Sequence, residues 1–194
     1  MAITLQAWGG TFYLLNKILF ALAEGKKQKI KQQLKISGWL VYILGVPAWV
    51  IILVGRHDWI AASIEAGGVP SMLFGLFTTY QNEDSPNKIF DLTAAFFTYG
   101  FLTMGVGYSV YDYGGITSAS QLFEMGVTVG FLTGSYLLAK NNLYGWVFFM
   151  LMNASMAALM LIQHRPLLSV QQMISLCFVI YGFAVALKSK QRAR

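Results

Sequence analysis

Seven apolar stretches of about 20 residues, set apart by short polar breaks, use up nearly the whole of this 194-residue chain. They read near 4–23, 38–55, 58–80, 89–111, 118–139, 143–163 and 166–187. A stretch of that length crosses the hydrocarbon core of a bilayer as a helix, because no water is available there to satisfy an open backbone. Composition agrees: 56% of the residues are hydrophobic and 11% charged, with a mean hydropathy of +0.56, where a soluble domain carries about 25% charged residues. The expectation is an all-α membrane protein of seven transmembrane helices, one integral domain over residues 1–194. The first stretch is interrupted by Asn16 and Lys17 and closed by Glu24. It either spans or lies in the interface as an amphipathic helix.

The net charge of +6 is a topology signal, because the basic residues sit in the breaks. The first break holds Lys26, Lys27, Lys29, Lys31 and Lys35, the third Lys88, the fifth Lys140, and the tail Lys188, Lys190, Arg192 and Arg194. The alternate breaks hold only Arg56 and Arg165. Cytoplasmic loops collect Lys and Arg, so the N-terminus is placed outside and the C-terminus in the cytoplasm of a cell inner membrane. The charge therefore implies no nucleic-acid partner. Cys177 stands alone, so it forms no intrachain disulfide or cysteine metal cluster. The opening MAITLQAW lacks the basic lead-in and cleavage site of a signal peptide, and the first stretch is expected to be retained.

Sliding the sequence along itself until Gly38 and Trp39 fall on Gly145 and Trp146 also lays His57 on His164, Gly75 on Gly182 and Glu65 on Gln172. The identities over 38–80 number five, which suggests a repeat. The parity fits one: two three-helix units, 1–80 and 118–188, run in the same direction when a single helix, 89–111, joins them. Such a 3+1+3 parallel repeat, about an axis along the membrane normal, is known among transporters.

Ionisable groups inside a membrane are costly and tend to mark a pathway or site, which singles out Glu65 and Glu124. Glu124 shares a helical stripe with Gln121, Thr128 and Ser135. Trp146, Phe149 and Asn153 fall on one face of the sixth span, an aromatic wall beside an amide that suits a flat polar ring. Gln172 and Ser175 share a face of the seventh span, and Tyr99 and Tyr108 lie on the fourth. The plainer alternatives are that the polar groups tie helices together, that Trp146 anchors at the interface and that Phe149 simply packs. Asp91, at the start of the fourth span, reads as a helix cap, and His57 and His164 as solvated loop residues. Pro47 and Pro70 fall inside spans and are expected to kink them. No His-Glu-x-x-His, Gly-x-Ser-x-Gly, Walker or cysteine-cluster motif is present, so neither an enzyme nor a metal or other cofactor is expected.

From about Gly130 to Leu187 the chain resembles the PnuC family of vitamin transporters. The resemblance rests on SYLLAKNNLYGWVFFMLMN, in which a helix ends in Leu-Ala-Lys and is followed by a polar turn, Trp, an aromatic and Asn, and on the Gly-containing YGFAVA of the last span. Phe149 stands where a second Trp is common in the family, Ser135 where Gln is, and Ala186 where Trp is. The resemblance implies a SWEET-like 3+1+3 bundle with Trp146, Phe149 and Asn153 at the substrate site. It also implies facilitated import of nicotinamide riboside, with a cytosolic kinase trapping the product. Thiamine and riboflavin stay open as substrates. Nicotinamide riboside and thiamine are cations, which an aromatic cage near Glu65 or Glu124 would suit better than it suits neutral riboflavin. Other readings are the vitamin-binding subunit of an ATP-driven complex, a small membrane enzyme or a scaffold. The lipid bilayer is a partner throughout, and a homo-oligomer stays open.

Overall fold

A computed structural model describes residues 2–81 and 87–192, and the polar break at 82–86 and the end of the basic tail lie outside them. Among the described residues the chain forms eight helices: α1 (Ala2–Ala23), α2 (Gln28–Gly55), α3 (Trp59–Gly67), α4 (Val69–Gln81), α5 (Lys88–Asp112), α6 (Ala119–Ala139), α7 (Tyr144–Ile162) and α8 (Pro166–Arg192). Several starts are marked by side chains that accept from orphan amides: Asp58 from Ala61, Asn87 from Ile89 and Ser118 from Gln121. The α5 cap is thus Asn87, four residues ahead of Asp91. Three helix ends turn through a left-handed residue, His57, Asn141 and His164, with φ of 59°, 53° and 55°.

Among the described residues six spans are long and apolar enough to cross a membrane: α2, α3 with α4, α5, α6, α7 and α8. The described residues form helices and no strand, and the chain is a multi-pass membrane protein. Its outer faces agree, since Leu92 and Phe96 of α5 and Leu167 of α8 are 73%, 72% and 86% exposed. Apolar surface of that kind needs lipid around it. The 22-residue α1 is not among the six, and Asn16 and Lys17 interrupt its apolar run. Both side chains are nonetheless buried, turned toward α2, α7 and the bundle interior and not toward water.

The largest differences from the boundaries read in the sequence are at α2 and the third span, while α8 runs past 187 to Arg192. Helix α2 starts at Gln28, ten residues ahead of position 38, because Lys and Gln are good helix formers and Lys31 and Lys35 pair with Glu24 at 2.8 and 3.3 Å. The third span breaks into α3 and α4 at Gly68. Pro70 has no amide to donate back to Ala66, and Gly67 and Gly68 let the chain pass so close to Phe101 and Phe131 that a Cβ would lie 2.3 and 2.5 Å from their rings. Pro47, by contrast, sits inside an unbroken α2.

Helix α1 packs along α2 and α8, α6 along α7, α5 and α4, α7 along α8, and α2 along α3 and α4. Helix α5 lies against α3, α4 and α6. The core, which includes Phe20, Trp39, Tyr42, Phe131, Trp146 and Phe149, runs down the seam where α1, α2, α6 and α7 meet. Gly126, Gly130 and Gly134, four apart, open one face of α6 to α7. A Cβ on Gly130 would lie 2.6 Å from the Phe148 carbonyl and the Met152 amide, and backbone cannot swing away as a side chain can. Gly130→Ala is therefore expected to cost about 1–3 kcal/mol and lower the thermal midpoint in detergent. Gly107→Ala, where no atom lies within 4 Å, should leave the midpoint unchanged or raise it.

Candidate functional site

The centre of the seam holds a lysine. On α1 the i, i+4 spacing puts Tyr13 and Lys17 on one face, and that face meets Tyr42 of α2 and Phe149 of α7. The Lys17 ammonium lies 4.2 Å from the centre of the Tyr42 ring, 3.9 Å from that of Phe149 and 6.0 Å from that of Tyr13. Tyr42 and Phe149 stand edge to face, 6.3 Å apart. Lys17 donates to Asn16 Oδ1 at 3.0 Å, and Asn16 Nδ2 donates to the Gly38 carbonyl at 3.0 Å, which ties the pair to α2. The Tyr42 hydroxyl shares a 3.3 Å hydrogen bond with Ser135 of α6. Four helices therefore contribute to one buried layer.

Asn153 lies one turn along α7 from Phe149, fully buried. Its Nδ2 donates to the Phe149 carbonyl at 2.7 Å, while its Oδ1 is buried without a hydrogen bond. An acceptor left unsatisfied in this way costs about 1–3 kcal/mol, which a ligand donor would offset. On the other side of the layer Tyr13 donates its phenol to the half-buried Glu65. Beside it the indole Nε1 of Trp49 is also buried and unpaired. Toward the lysine-rich end, Phe20, Trp39, Leu138, Trp146, Glu24 and Lys35 line a small cleft with room for about one water molecule.

The residues singled out in the sequence divide into two groups. Phe149 and Asn153 share the central layer, Ser135 reaches it through Tyr42, and Glu65 reaches it through Tyr13. Trp146 lies at its edge, buried against Gly182 of α8, so it is no interfacial anchor. The others lie elsewhere. Gln121 accepts from Thr117 N at 2.9 Å and donates to the carbonyls of Gly115 and Ser109 at 2.9 and 3.1 Å, which closes the α5–α6 turn. Glu124 is exposed near Asp58, and the Thr128 hydroxyl is spent on the Glu124 carbonyl at 3.0 Å. Gln172 is half-buried on α8. Tyr99 is 55% exposed on α5, edge-on to Tyr136. Asp91 accepts from Tyr136 at 2.7 Å and pairs with Lys140 at 2.9 Å, which fastens α5 to α6. That carboxylate, hydrogen-bonded to Lys140 beyond the end of α6, holds the ammonium above the usual lysine range. At neutral pH the carboxylate is ionised and the ammonium charged, so the link is present, and on the alkaline side it is lost as pH rises through that raised value.

Sequence reasoning passed over Lys17, Asn16, Tyr13 and Tyr42. A signal for one of them existed, since the offset that pairs Trp39 with Trp146 also carries Tyr42 onto Phe149. Lys17 reads in the sequence only as an interruption of an apolar run. No protein-family model, curated protein or solved structure matches the chain.

Removing the phenol of Tyr13 leaves Glu65 without its donor. Tyr13→Phe is expected to destabilise the protein by about 1–3 kcal/mol, read as a lower thermal midpoint in detergent. Glu124→Gln, at an exposed position, should stay within about 0.5 kcal/mol of the parent.

Proposed function

We propose that the chain is an inner-membrane carrier for a small aromatic vitamin, with nicotinamide riboside as lead substrate, working by alternating access between two like halves. The observation that carries this reading is the central layer itself. Two aromatic faces and an unpaired amide carbonyl meet at the junction of four helices, where a scaffold would gain more from apolar packing.

Support for a repeat comes from contacts that recur at the same offset. Trp39 packs on Gly75 as Trp146 packs on Gly182. The left-handed turns at His57 and His164 close alike, with Asp58 N on the Leu53 carbonyl at 3.0 Å and Arg165 N on the Met160 carbonyl at 2.8 Å. Helix α1 stands to α2 and α8 as α6 stands to α7 and α4. Across the seam Tyr42 reaches Ser135 on α6, and its counterpart Phe149 reaches Lys17 on α1. On this reading α1 is the seventh span, α5 is the linker and the lysine-rich end faces the cytoplasm. Lys35 pairs with Glu24 of its own half and donates to Asn141 of the other at 3.0 Å, a contact that must part when that end opens. Facilitated entry followed by phosphorylation in the cytosol would complete import without a coupled ion.

Uptake of labelled nicotinamide riboside into a vitamin auxotroph, in competition with unlabelled thiamine and riboflavin, tests both the activity and the choice of substrate. Uptake by the purified chain in proteoliposomes excludes dependence on an ATP-driven partner. Absence of saturable uptake of all three vitamins returns the chain to the scaffold or enzyme readings. Asn153→Ala should lower uptake about tenfold with the amount of protein in the membrane unchanged. Undiminished transport by that variant removes Asn153 from the site.

A further inference from the structure

The cage at the centre of the seam is already filled by a cation, and that cation belongs to the chain. Among the described residues the ion pairs are Lys31 and Lys35 with Glu24, and Lys140 with Asp91, so Lys17 has no carboxylate partner. Its support is one amide carbonyl and the faces of Tyr42 and Phe149, with Tyr13 farther off. Rings of this kind attract an ammonium through their quadrupole, yet they recover only part of the cost of burying a charge without a counter-ion. Lys17 is therefore a weakly held occupant of a site whose donor set suits cations in general. The unpaired Oδ1 of Asn153, one turn from Phe149, adds an acceptor that Lys17 does not use.

Helix geometry supplies the ammonium with somewhere to go. Side chains on a helix lean toward its N-terminus, which for Lys17 is the turn that carries Tyr13, and the Tyr13 phenol holds the Glu65 carboxylate. The four-carbon stem of lysine gives the ammonium the reach to shift along that face.

We propose that a cationic aromatic ring binds against the faces of Tyr42 and Phe149, in the place of the Lys17 ammonium and by displacing it toward Glu65, so that Lys17 is a resident competitor for the substrate's own place. The inference takes its ligand class from the carrier reading above. It goes beyond that reading in predicting that removal of a buried polar residue strengthens binding. A lysine that merely clamped the two halves, or that recognised an anionic or neutral substrate, would behave in the opposite way.

The test is binding of two probes to the purified full chain in detergent, 1-methylnicotinamide as the cation and nicotinamide as its neutral counterpart, followed by tryptophan fluorescence. Lys17→Met is expected to bind the cation about tenfold more tightly than the parent and the neutral probe no better. Phe149→Leu added to that variant should abolish the gain. Glu65→Gln, which keeps Lys17 and leaves Tyr13 a partner, should weaken the cation about tenfold, so the inference stays testable if Lys17→Met does not fold. Cation binding unchanged or weakened in Lys17→Met, or unchanged in Glu65→Gln, overturns it. Nicotinamide riboside uptake by the same proteins separates the two proposals. Uptake without tighter binding in Lys17→Met leaves the carrier and removes the exchange. Tighter binding without uptake in any variant leaves the cation site and removes the carrier.

Discussion

Inside a bilayer a polar side chain has no water to fall back on, and the Lys17 layer shows how this chain meets that constraint. Its partners come from α1, α2, α6 and α7 together: Asn16 beside Lys17, Tyr42 and Phe149 around the ammonium, and Ser135 on the Tyr42 hydroxyl. No single helix supplies them all, so the four helices must keep their register for the charge to stay buried. Everything on the lysine-rich side, from the cleft between Trp39 and Trp146 to the Lys35 bridge, sits below that layer. Tyr13, Glu65 and Trp49 sit above it.

Glycine notches seat the aromatic rings on either side of the layer. Gly134 opens α6 to the Phe149 ring and Gly38 opens α2 to the Phe20 ring, while Gly75 and Gly182 each receive an indole. In hydrocarbon, where apolar burial alone gives helices little reason to associate, such fitted contacts supply much of the packing energy. Each of these notches joins two helices of the same proposed half.

The site was legible in part, and the reason differs from residue to residue. Phe149 and Asn153 follow from helical spacing and from the cost of a mid-span amide. The stripe from Gln121 through Glu124 and Thr128 to Ser135 obeys the same periodicity, yet only Ser135 reaches the centre. The other members serve the α5–α6 turn, their own helix or solvent, because a long helix face passes several environments along its length. Tyr99 lies on a helix whose exposed face is apolar, and aromatic content cannot tell a lipid-facing ring from a pocket wall. Lys17 showed in the sequence only as an interruption of the first stretch, because its ring partners, Tyr42 and Phe149, lie on two other helices remote from it in the chain, and no local pattern in α1 announces them.

From its sequence alone the chain is committed to membrane helices, since runs of apolar residues about 20 long have one stable form where backbone groups lack water. Span positions, the clustering of lysine at alternate breaks and the spacing that puts Phe149 beside Asn153 are fixed at that level too, each being a local property of the chain. Tertiary structure alone decided which polar groups face one another. It turned Lys17 inward, sent Gln121, Glu124 and Tyr99 away from the centre and broke the third span at Gly68. Those outcomes depend on which helices pack against one another, which the periodicity of any one segment does not contain.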